Sequence, residues 1–146
     1  MGNLYLAEGY YIRRITPDGT ITTIAGTGVA GDSGDNGLAI SATLNYADSL
    51  VFDSSGNLFV SDVNNSVVRQ ISPDGTITTA AGTYSHGFLG DGGSAAKAVL
   101  FAEVGSFADS TRTSPVIVPA FKAKGIGTAI VNVAVPGANE LFVQIA

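Results

Sequence analysis

The side chains of this sequence that could coordinate a metal ion are concentrated in a glycine-rich segment, residues 26–37, which carries Asp32, Asp35 and Asn36. A Ca²⁺ site requires about six to eight oxygen ligands, so these side chains and neighbouring carbonyl groups would supply only part of one. The segment also lacks the regular Asp-x-Asp-x-Asp-Gly pattern of an EF-hand loop. We therefore favour a turn in which the aspartates accept hydrogen bonds from backbone N–H groups, and we expect at most weak Ca²⁺ binding at Asp32 and Asp35.

Catalytic groups of other kinds are scarce in the sequence. His86 is the only histidine, the chain contains no cysteine, and no Gly-x-Ser-x-Gly motif occurs. A catalytic metal site built from several histidines, a thiolate metal site and a serine-hydrolase elbow are therefore not indicated. We interpret His86 as a surface loop residue, and we expect no cofactor.

Two arginines occupy equivalent positions in predicted strands, because Arg13 and Arg69 are 56 residues apart in a repeated pattern. Either side chain could bind an anionic ligand. An acidic residue ends the preceding predicted strand in each case, Glu8 before Arg13 and Asp62 before Arg69. Because opposite charges on adjacent strands stabilise each other, we favour an ion pair over a ligand site at both positions.

Predicted turns supply the remaining candidate binding residues. Tyr10 and Tyr11 lie in a turn, where exposed aromatic side chains often form contact surfaces, although packing against the protein is an equally good interpretation. Asn64 and Asn65 lie in the corresponding turn of the second copy of the pattern. The candidate binding residues are Tyr10, Tyr11, Arg13, Asn64, Asn65 and Arg69.

An internal repeat predicts the elements that position these residues. Residues 17–23, Pro-Asp-Gly-Thr-Ile-Thr-Thr, recur as residues 73–79, and self-similarity at a fixed spacing is typical of repeat architectures. β-Branched residues and Pro-Asp-Gly turns predict short antiparallel strands, and recurring apolar residues predict short helices. The predicted elements are strands within residues 3–25, 48–81 and 104–109 and helices near residues 38–44 and 94–100.

The repeat ends near residue 110, and the tail that follows it remains strand-like. Residues 115–120, 128–136 and 140–146 are rich in strand-forming residues, and Pro-Gly-Ala-Asn at 136–139 is typical of a hairpin turn. Two alternatives fit this pattern. Residues 111–146 are either a degenerate third repeat unit or the start of a separate sandwich-like module.

The composition limits the class of protein. The chain has 146 residues, of which 45% are hydrophobic and 13% charged, with a net charge of -5 and a mean hydropathy of +0.32. This composition argues against disorder, and the negative charge argues against a nucleic-acid partner. No segment approaches the roughly 18 consecutive apolar residues of a membrane-spanning helix, so we expect no membrane span.

The repeated unit resembles the NHL-repeat family of β-propellers. The resemblance is carried by Gly-Asn-Leu-Tyr-Leu-Ala at residues 2–7, Ile-Arg-Arg-Ile-Thr-Pro-Asp-Gly-Thr-Ile-Thr-Thr-Ile-Ala-Gly-Thr-Gly at 12–28 and Ala-Gly-Asp-Ser-Gly-Asp-Asn-Gly at 30–37. The glycine-aspartate loop is similar to that of long repeats in secreted and cell-surface bacterial proteins. Of the Asn-His-Leu-like triplet of the family, Asn-Ser-Val at 65–67 keeps only the asparagine, which weakens the transfer of a peptide-binding or RNA-binding role.

The resemblance implies an all-β fold, a partial β-propeller of four-stranded antiparallel blades with short helical turns between blades. Residues 1–110 would supply one complete blade and two partial ones. Because a closed ring needs at least about four blades, we expect a fragment of a longer protein, an open stack, or a subunit of a ring completed by other copies. Leu4, Leu6 and Ile12 would then face solvent or a partner, and we expect the chain to self-associate or to be marginally stable.

The resemblance favours a non-catalytic binding or scaffolding module that displays loops to a protein or carbohydrate partner. Alternate connections of an up-and-down meander emerge on the same edge, so the turns at 9–11 and 63–65 should share a face with the loops at 26–37 and 83–93. Loops on a rigid scaffold commonly carry function, and we therefore expect any ligand surface on this face.

Two alternative functions remain from the sequence. The chain could be part of a propeller enzyme, lyase-like or lactonase-like, whose active site requires further blades. Asp48 and Glu103, near the starts of predicted strands, would then be the candidate carboxylates. The chain could also be a structural spacer in a surface protein.

Overall fold

The protein forms two five-stranded β-sheets with very little helix in the computed structural model, which describes residues 2–100, 131–132 and 140–143. This architecture confirms the predicted all-β fold class. The strands are β1 Asn3–Ala7, β2 Ile12–Ile15, β3 Ile21–Ala25, β4 Gly37–Leu38, β5 Ala47–Phe52, β6 Leu58–Asp62, β7 Val67–Ile71, β8 Thr76–Ala81, β9 Val131–Asn132 and β10 Glu140–Val143. Single 3-10 turns occur at Ala39–Ser41, Val63–Asn65 and Ala95–Lys97.

The first sheet combines the first repeat unit with two strands of the tail, in the order β3-β2-β1-β10-β9. β1, β2 and β3 form the predicted antiparallel meander. β10 lies parallel to β1, with Asn3 opposite Glu140, and pairs antiparallel with β9. The described strands of the tail therefore extend the amino-terminal unit of the repeat.

The second sheet is built from the second repeat unit, in the order β4-β8-β7-β6-β5. β5 to β8 form an antiparallel meander in which each strand pairs with the next. β4, which comes from the loop of the first unit, pairs antiparallel with β8 and covers its outer edge. This strand was not predicted from the sequence, and it joins the two repeat units directly.

The two units reproduce each other in backbone detail. Arg13 lies opposite Thr23 after a register shift in the first sheet, and Arg69 lies opposite Thr79 after the same shift in the second. The Pro-Asp-Gly turns also match, since Gly19 and Gly75 have φ values of 86° and 87°. The left-handed conformation at these turns favours glycine, which explains why the repeat retains it.

The hydrophobic core is one cluster that includes residues of both sheets and of the segment between them. Tyr5 of β1 packs edge-to-face on Phe52 of β5, with ring centroids 4.9 Å apart. Leu44, from the connecting segment, is fully buried in the same cluster. Burial of apolar area at about 25 cal/mol per Å² is the main stabilising contribution here, so the two units stabilise each other.

The predicted helices near residues 38–44 and 94–100 are single 3-10 turns instead. The residues that flank Ala39–Ser41 are extended, and the buried side chains nearby are Ala39, Ala42 and Leu44, while Leu38 and Ile40 are exposed. In an α-helix, side chains three or four residues apart would lie on the same face. The segment extends instead because its backbone bonds to other elements, including the bond from Gly26 N–H to the Ala39 carbonyl.

The prediction that Leu4, Leu6 and Ile12 of the first unit face solvent or a partner is wrong for two of these three residues. Leu6 and Ile12 are buried in the structure, and Leu4 is half-buried. Ile12 belongs to the core cluster that includes residues of the second unit, and β10 pairs with the edge of β1 that would otherwise be open. The predicted strands at 104–109 and 115–120 lie outside the described residues, as does Glu103. Within the described residues, no helix has the length and apolar character needed to cross a membrane.

Candidate functional site

Arg69, in the middle of β7, is fully buried and lies at the centre of a polar network. Its Nη2 atom is 2.7 Å from Asp35 Oδ1, and its Nη1 atom is 3.5 Å from Asp62 Oδ2. Nη1 also lies 3.5 Å from the Thr43 carbonyl oxygen. We call Asp35, Asp62, Asn65 and Arg69 the Arg69 cluster. The two carboxylates compensate the buried charge of the guanidinium, which would otherwise be strongly destabilising.

Asp62, at the end of β6, is held by donors on two sides. Its Oδ1 accepts a 2.7 Å hydrogen bond from Asn45 N–H, and its Oδ2 accepts a 2.8 Å bond from Asn65 Nδ2. Burial raises the pKa of the Asp62 carboxyl above its ordinary value of 3.8. The two hydrogen bonds and the charge of Arg69 offset only part of that effect.

Asp35 connects the loop of the first unit to the second sheet. While its Oδ1 pairs with Arg69, its Oδ2 accepts a 3.1 Å hydrogen bond from Thr79 N–H of β8. Asn65 supports the same loop, because its Nδ2 donates to the Gly31 carbonyl at 2.8 Å. The carboxylate of Asp35 is thus engaged with protein groups on both oxygens, as a structural turn requires.

The site residues that the sequence predicted lie in two different environments in the structure. Asn65 and Arg69 lie inside it and are buried, so in this structure they hold the loop and are not on the surface. The predicted pair between Arg69 and Asp62 is present, and so is the pair between Arg13 and Glu8, at 3.4 Å. The contact that the sequence did not suggest is Asp35 with Arg69, which joins residues 34 positions apart.

A second group of predicted residues lies on the surface. Tyr10 and Tyr11 are 40% and 38% exposed, and Tyr46, which sequence analysis did not select, is 45% exposed. Backbone bonds bring their segments together, because Ala47 N–H donates to the Gly9 carbonyl and Val63 N–H donates to the Tyr46 carbonyl. We call Tyr10, Tyr11, Tyr46 and Asn64 the tyrosine face.

Several contacts hold the tyrosine face rigid. Asn64 is exposed, and both its backbone N–H and its side chain bond to Asn45, at 3.0 Å and 3.2 Å. The Tyr11 ring leaves no room for a side chain at Gly28, so the turn and the first loop are in contact. The predicted shared face of turns and loops is therefore present in the first unit.

His86 contacts Ser66, which is not among the predicted site residues. The hydroxyl of Ser66 lies 2.8 Å from His86 Nδ1, and Ser66 adopts a left-handed conformation with φ of 56°. A serine beside a histidine can form a nucleophile and its base, but Ser66 is fully buried, which keeps its hydroxyl away from a substrate. The contact instead anchors the second loop to the turn at Val63–Asn65. Nothing in the local sequence signals it, because the partners are 20 residues apart.

Asp48, the carboxylate of the enzymatic alternative, lies near the start of β5 and is buried. Burial raises its pKa above 3.8, and a hydrogen bond with the Ser49 side chain opposes part of the effect. A raised pKa is a feature of catalytic carboxylates, although structural groups share it.

Metal-binding side chains are not clustered in the described part of the chain. Among residues 2–100, 131–132 and 140–143, no group of three or more His, Cys, Asp or Glu side chains is arranged to hold a metal ion. Asp32 lies on the exposed side of the first loop. Comparison of the chain with models of known protein families and with curated protein sequences finds no match to either.

Proposed function

We propose that this chain is a non-catalytic binding or scaffolding module that uses the tyrosine face to hold a protein or carbohydrate partner. The observation that carries the proposal is the exposure of Tyr10, Tyr11 and Tyr46 in segments that backbone hydrogen bonds bring together, beside the turn that carries Asn64. Tyrosine supplies a large contact area at low entropic cost, and its hydroxyl can bond to a polar partner. Asn64 adds amide donor and acceptor groups at the edge of the same face.

The fold proposed for the module is a set of NHL-type propeller blades. Two observations support it: β5 to β8 form a four-stranded antiparallel meander, and β1 to β3 repeat its last three strands in the same register. In such an architecture each unit covers its neighbour, and the loops are presented from a stiff surface. A stiff surface reduces the entropy lost on binding.

The Arg69 cluster supports this function indirectly. Because Arg69 and Asp62 are fully buried, their charges do not contact a ligand, and they fix the loop whose other residues border the tyrosine face. Ca²⁺ is not required by this arrangement, since the Arg69 guanidinium neutralises Asp35. We retain weak Ca²⁺ binding at Asp32 and Asp35 as a property that isothermal titration of the chain with CaCl₂ would detect.

Screening the purified chain on a glycan array and against a random-peptide display library tests the proposed function. The double variant Tyr10→Ala/Tyr46→Ala should lose binding to any glycan or peptide selected by the wild type. The matched control is Ile40→Ala, which removes an exposed apolar side chain from the 3-10 turn Ala39–Ser41. Equal binding by the wild type and the double variant would refute the assignment to the tyrosine face.

The enzymatic alternative rests on Asp48 and its raised pKa. It predicts hydrolysis of a chromogenic ester or lactone by the wild-type chain and loss of that activity in Asp48→Asn. Activity with this pattern would favour the enzyme over the binding module.

A further inference from the structure

We propose that a second copy of this chain docks on the outer edge of β3, with its Asp91 against Arg13, in the way that Asp35 docks on Arg69 within one chain. The donating segment is residues 90–95, and the receiving surface is Arg13 with residues 19–23 of β3 and its preceding turn. A junction of this kind is present within the chain, and its two halves recur separately elsewhere in the chain.

The junction within the chain has three kinds of contact. β4 pairs with β8, with Gly37 opposite Ile77. Asn36 N–H donates to the Ile77 carbonyl, and Ala39 N–H donates to the Gly75 carbonyl, both at 2.8 Å. Asp35 adds the charged contact with Arg69 described above. Backbone pairing thus fixes the register, and the ion pair fixes the loop against the sheet.

The receiving half recurs in the first sheet, where no described strand covers it. Arg13 lies opposite Thr23, as Arg69 lies opposite Thr79. β3 ends the strand order of its sheet, whereas β8 is covered by β4. The consequence appears in the side chains, since Ile77 is fully buried and the equivalent Ile21 is 41% exposed.

The charge of the receiving half is also incompletely compensated. The Arg13 side chain is 35% exposed and forms an ion pair with Glu8 at 3.4 Å. Arg69, by comparison, pairs with two carboxylates, Asp35 and Asp62. Among the described residues, nothing supplies Arg13 with the second carboxylate that Asp35 supplies to Arg69.

The donating half recurs in the second loop. Gly93 N–H donates to the Gly90 carbonyl at 2.9 Å, matching the bond from Gly37 to Gly34 at 3.1 Å. Gly82 N–H donates to the Ala95 carbonyl at 3.0 Å, matching the bond from Gly26 to Ala39 at 2.9 Å. The loop is thus already folded in the shape that docks in the first unit, and it carries Asp91 at the position of Asp35.

The donating half is also exposed within the described part of the chain. Ala95 is exposed, whereas the equivalent Ala39 of the docked loop is buried. No hydrogen bond or ion pair joins Asp91 to Arg13 within the described part of the chain. In the docked pair of molecules, the Asp91 carboxylate contacts Arg13 and Thr23 N–H, Gly93 lies opposite Ile21, and Ala95 N–H donates to the Gly19 carbonyl.

The two surfaces of this contact differ, so the association is head-to-tail. A head-to-tail contact leaves one donating and one receiving surface free at the ends of each dimer, and further copies add until the assembly closes as a ring or continues as a filament. The occupant is thus a second copy of the chain, because it carries both complementary surfaces.

Sedimentation velocity of the wild type and of charge-reversed variants tests the contact. The wild-type sedimentation coefficient should rise with concentration. Asp91→Arg and Arg13→Asp should each weaken the association by at least about tenfold, because each sets like charges against each other. Asp32→Arg makes the same charge change in the first loop, outside the proposed contact, and should associate as the wild type does.

Mixing the two charge-reversed variants is the decisive experiment. The Arg13→Asp molecule retains Asp91 and the Asp91→Arg molecule retains Arg13, so an equimolar mixture should associate more strongly than either variant does alone. Recovery in the mixture also shows that the variants are folded. A wild type that remains monomeric at about 100 µM, a concentration that detects even weak contacts, would overturn the proposal. An Asp91→Arg variant that associates like the wild type would overturn it as well.

Discussion

Replacing Asp35 with alanine tests how strongly the first loop is attached to the second sheet. The change removes a 2.7 Å ion pair with Arg69 and a 3.1 Å hydrogen bond from Thr79 N–H. Removing one partner of a buried ion pair costs about 3–5 kcal/mol, whereas exposed pairs contribute about 0–1 kcal/mol. Asp35 is 35% exposed and Asp62 remains beside Arg69, so we expect an intermediate loss of about 2 kcal/mol in the free energy of unfolding.

The chain contains its own control for this measurement. Glu8→Ala removes the ion pair of the first unit, which corresponds to Asp62 with Arg69 and in which Arg13 and Glu8 are 3.4 Å apart and 35% and 39% exposed. Because solvent screens this pair, its loss should cost less than about 0.5 kcal/mol. The difference between the two variants reports the attachment of the loop and not the general effect of removing a carboxylate.

Urea unfolding followed by far-ultraviolet circular dichroism gives both values. A loss of about 2 kcal/mol should also lower the Tm by about 6 °C in a domain of this size. Equal losses in Asp35→Ala and Glu8→Ala, both below about 0.5 kcal/mol, would refute the view that Asp35 holds the two units together.

Two further predictions concern Asp62 and the glycines of the first unit. The folded state binds the Asp62 proton more tightly than the unfolded state does, because the pKa of Asp62 is raised above 3.8 in the folded protein. The stabilisation of the fold by this proton is therefore fully present below pH 3.8, and it is lost as the pH rises through the pKa of the folded state. A series of Tm values from pH 3 to 7, about the range in which carboxyls titrate, should fall less with rising pH in Asp62→Asn than in the wild type, and an equal or steeper fall in the variant would contradict the raised pKa. Gly26→Ala should destabilise by more than about 2 kcal/mol, because φ is 93° and the new Cβ would collide with the Tyr10 carbonyl oxygen. Gly19→Ala, with a similar φ and open space, should cost only about 1 kcal/mol in the same urea unfolding; an equal cost for the two would mean that the turn at Tyr10 moves freely.

The strands could be predicted from the sequence because their signals are local. The Pro-Asp-Gly turns and the alternating β-branched residues predict the meanders, and β5 to β8 lie within or beside the predicted region 48–81. The ion pairs of Arg13 and Arg69 with Glu8 and Asp62 followed from the adjacency of strands in a meander.

The remaining features depend on how distant segments dock. β4 is only two residues long and exists because β8 offers an open edge, so no local periodicity marks it. The same docking places Asp35 on Arg69 and keeps the segment after residue 37 extended where apolar spacing had suggested a helix. Tyr46 was not predicted to lie on the tyrosine face, because the other residues of this face lie in turns that are distant from it in the sequence.

Hydrogen–deuterium exchange at four backbone amides tests the docking of loops on sheet edges most directly. Asn36 and Ala39 donate to Ile77 and Gly75 within the chain, so their amides should be protected at every protein concentration. The equivalent amides of Gly92 and Ala95 should exchange rapidly at low concentration and gain protection as molecules associate. Exchange of Asn36 and Ala39 as fast as that of Gly92 and Ala95 in dilute protein would contradict the account.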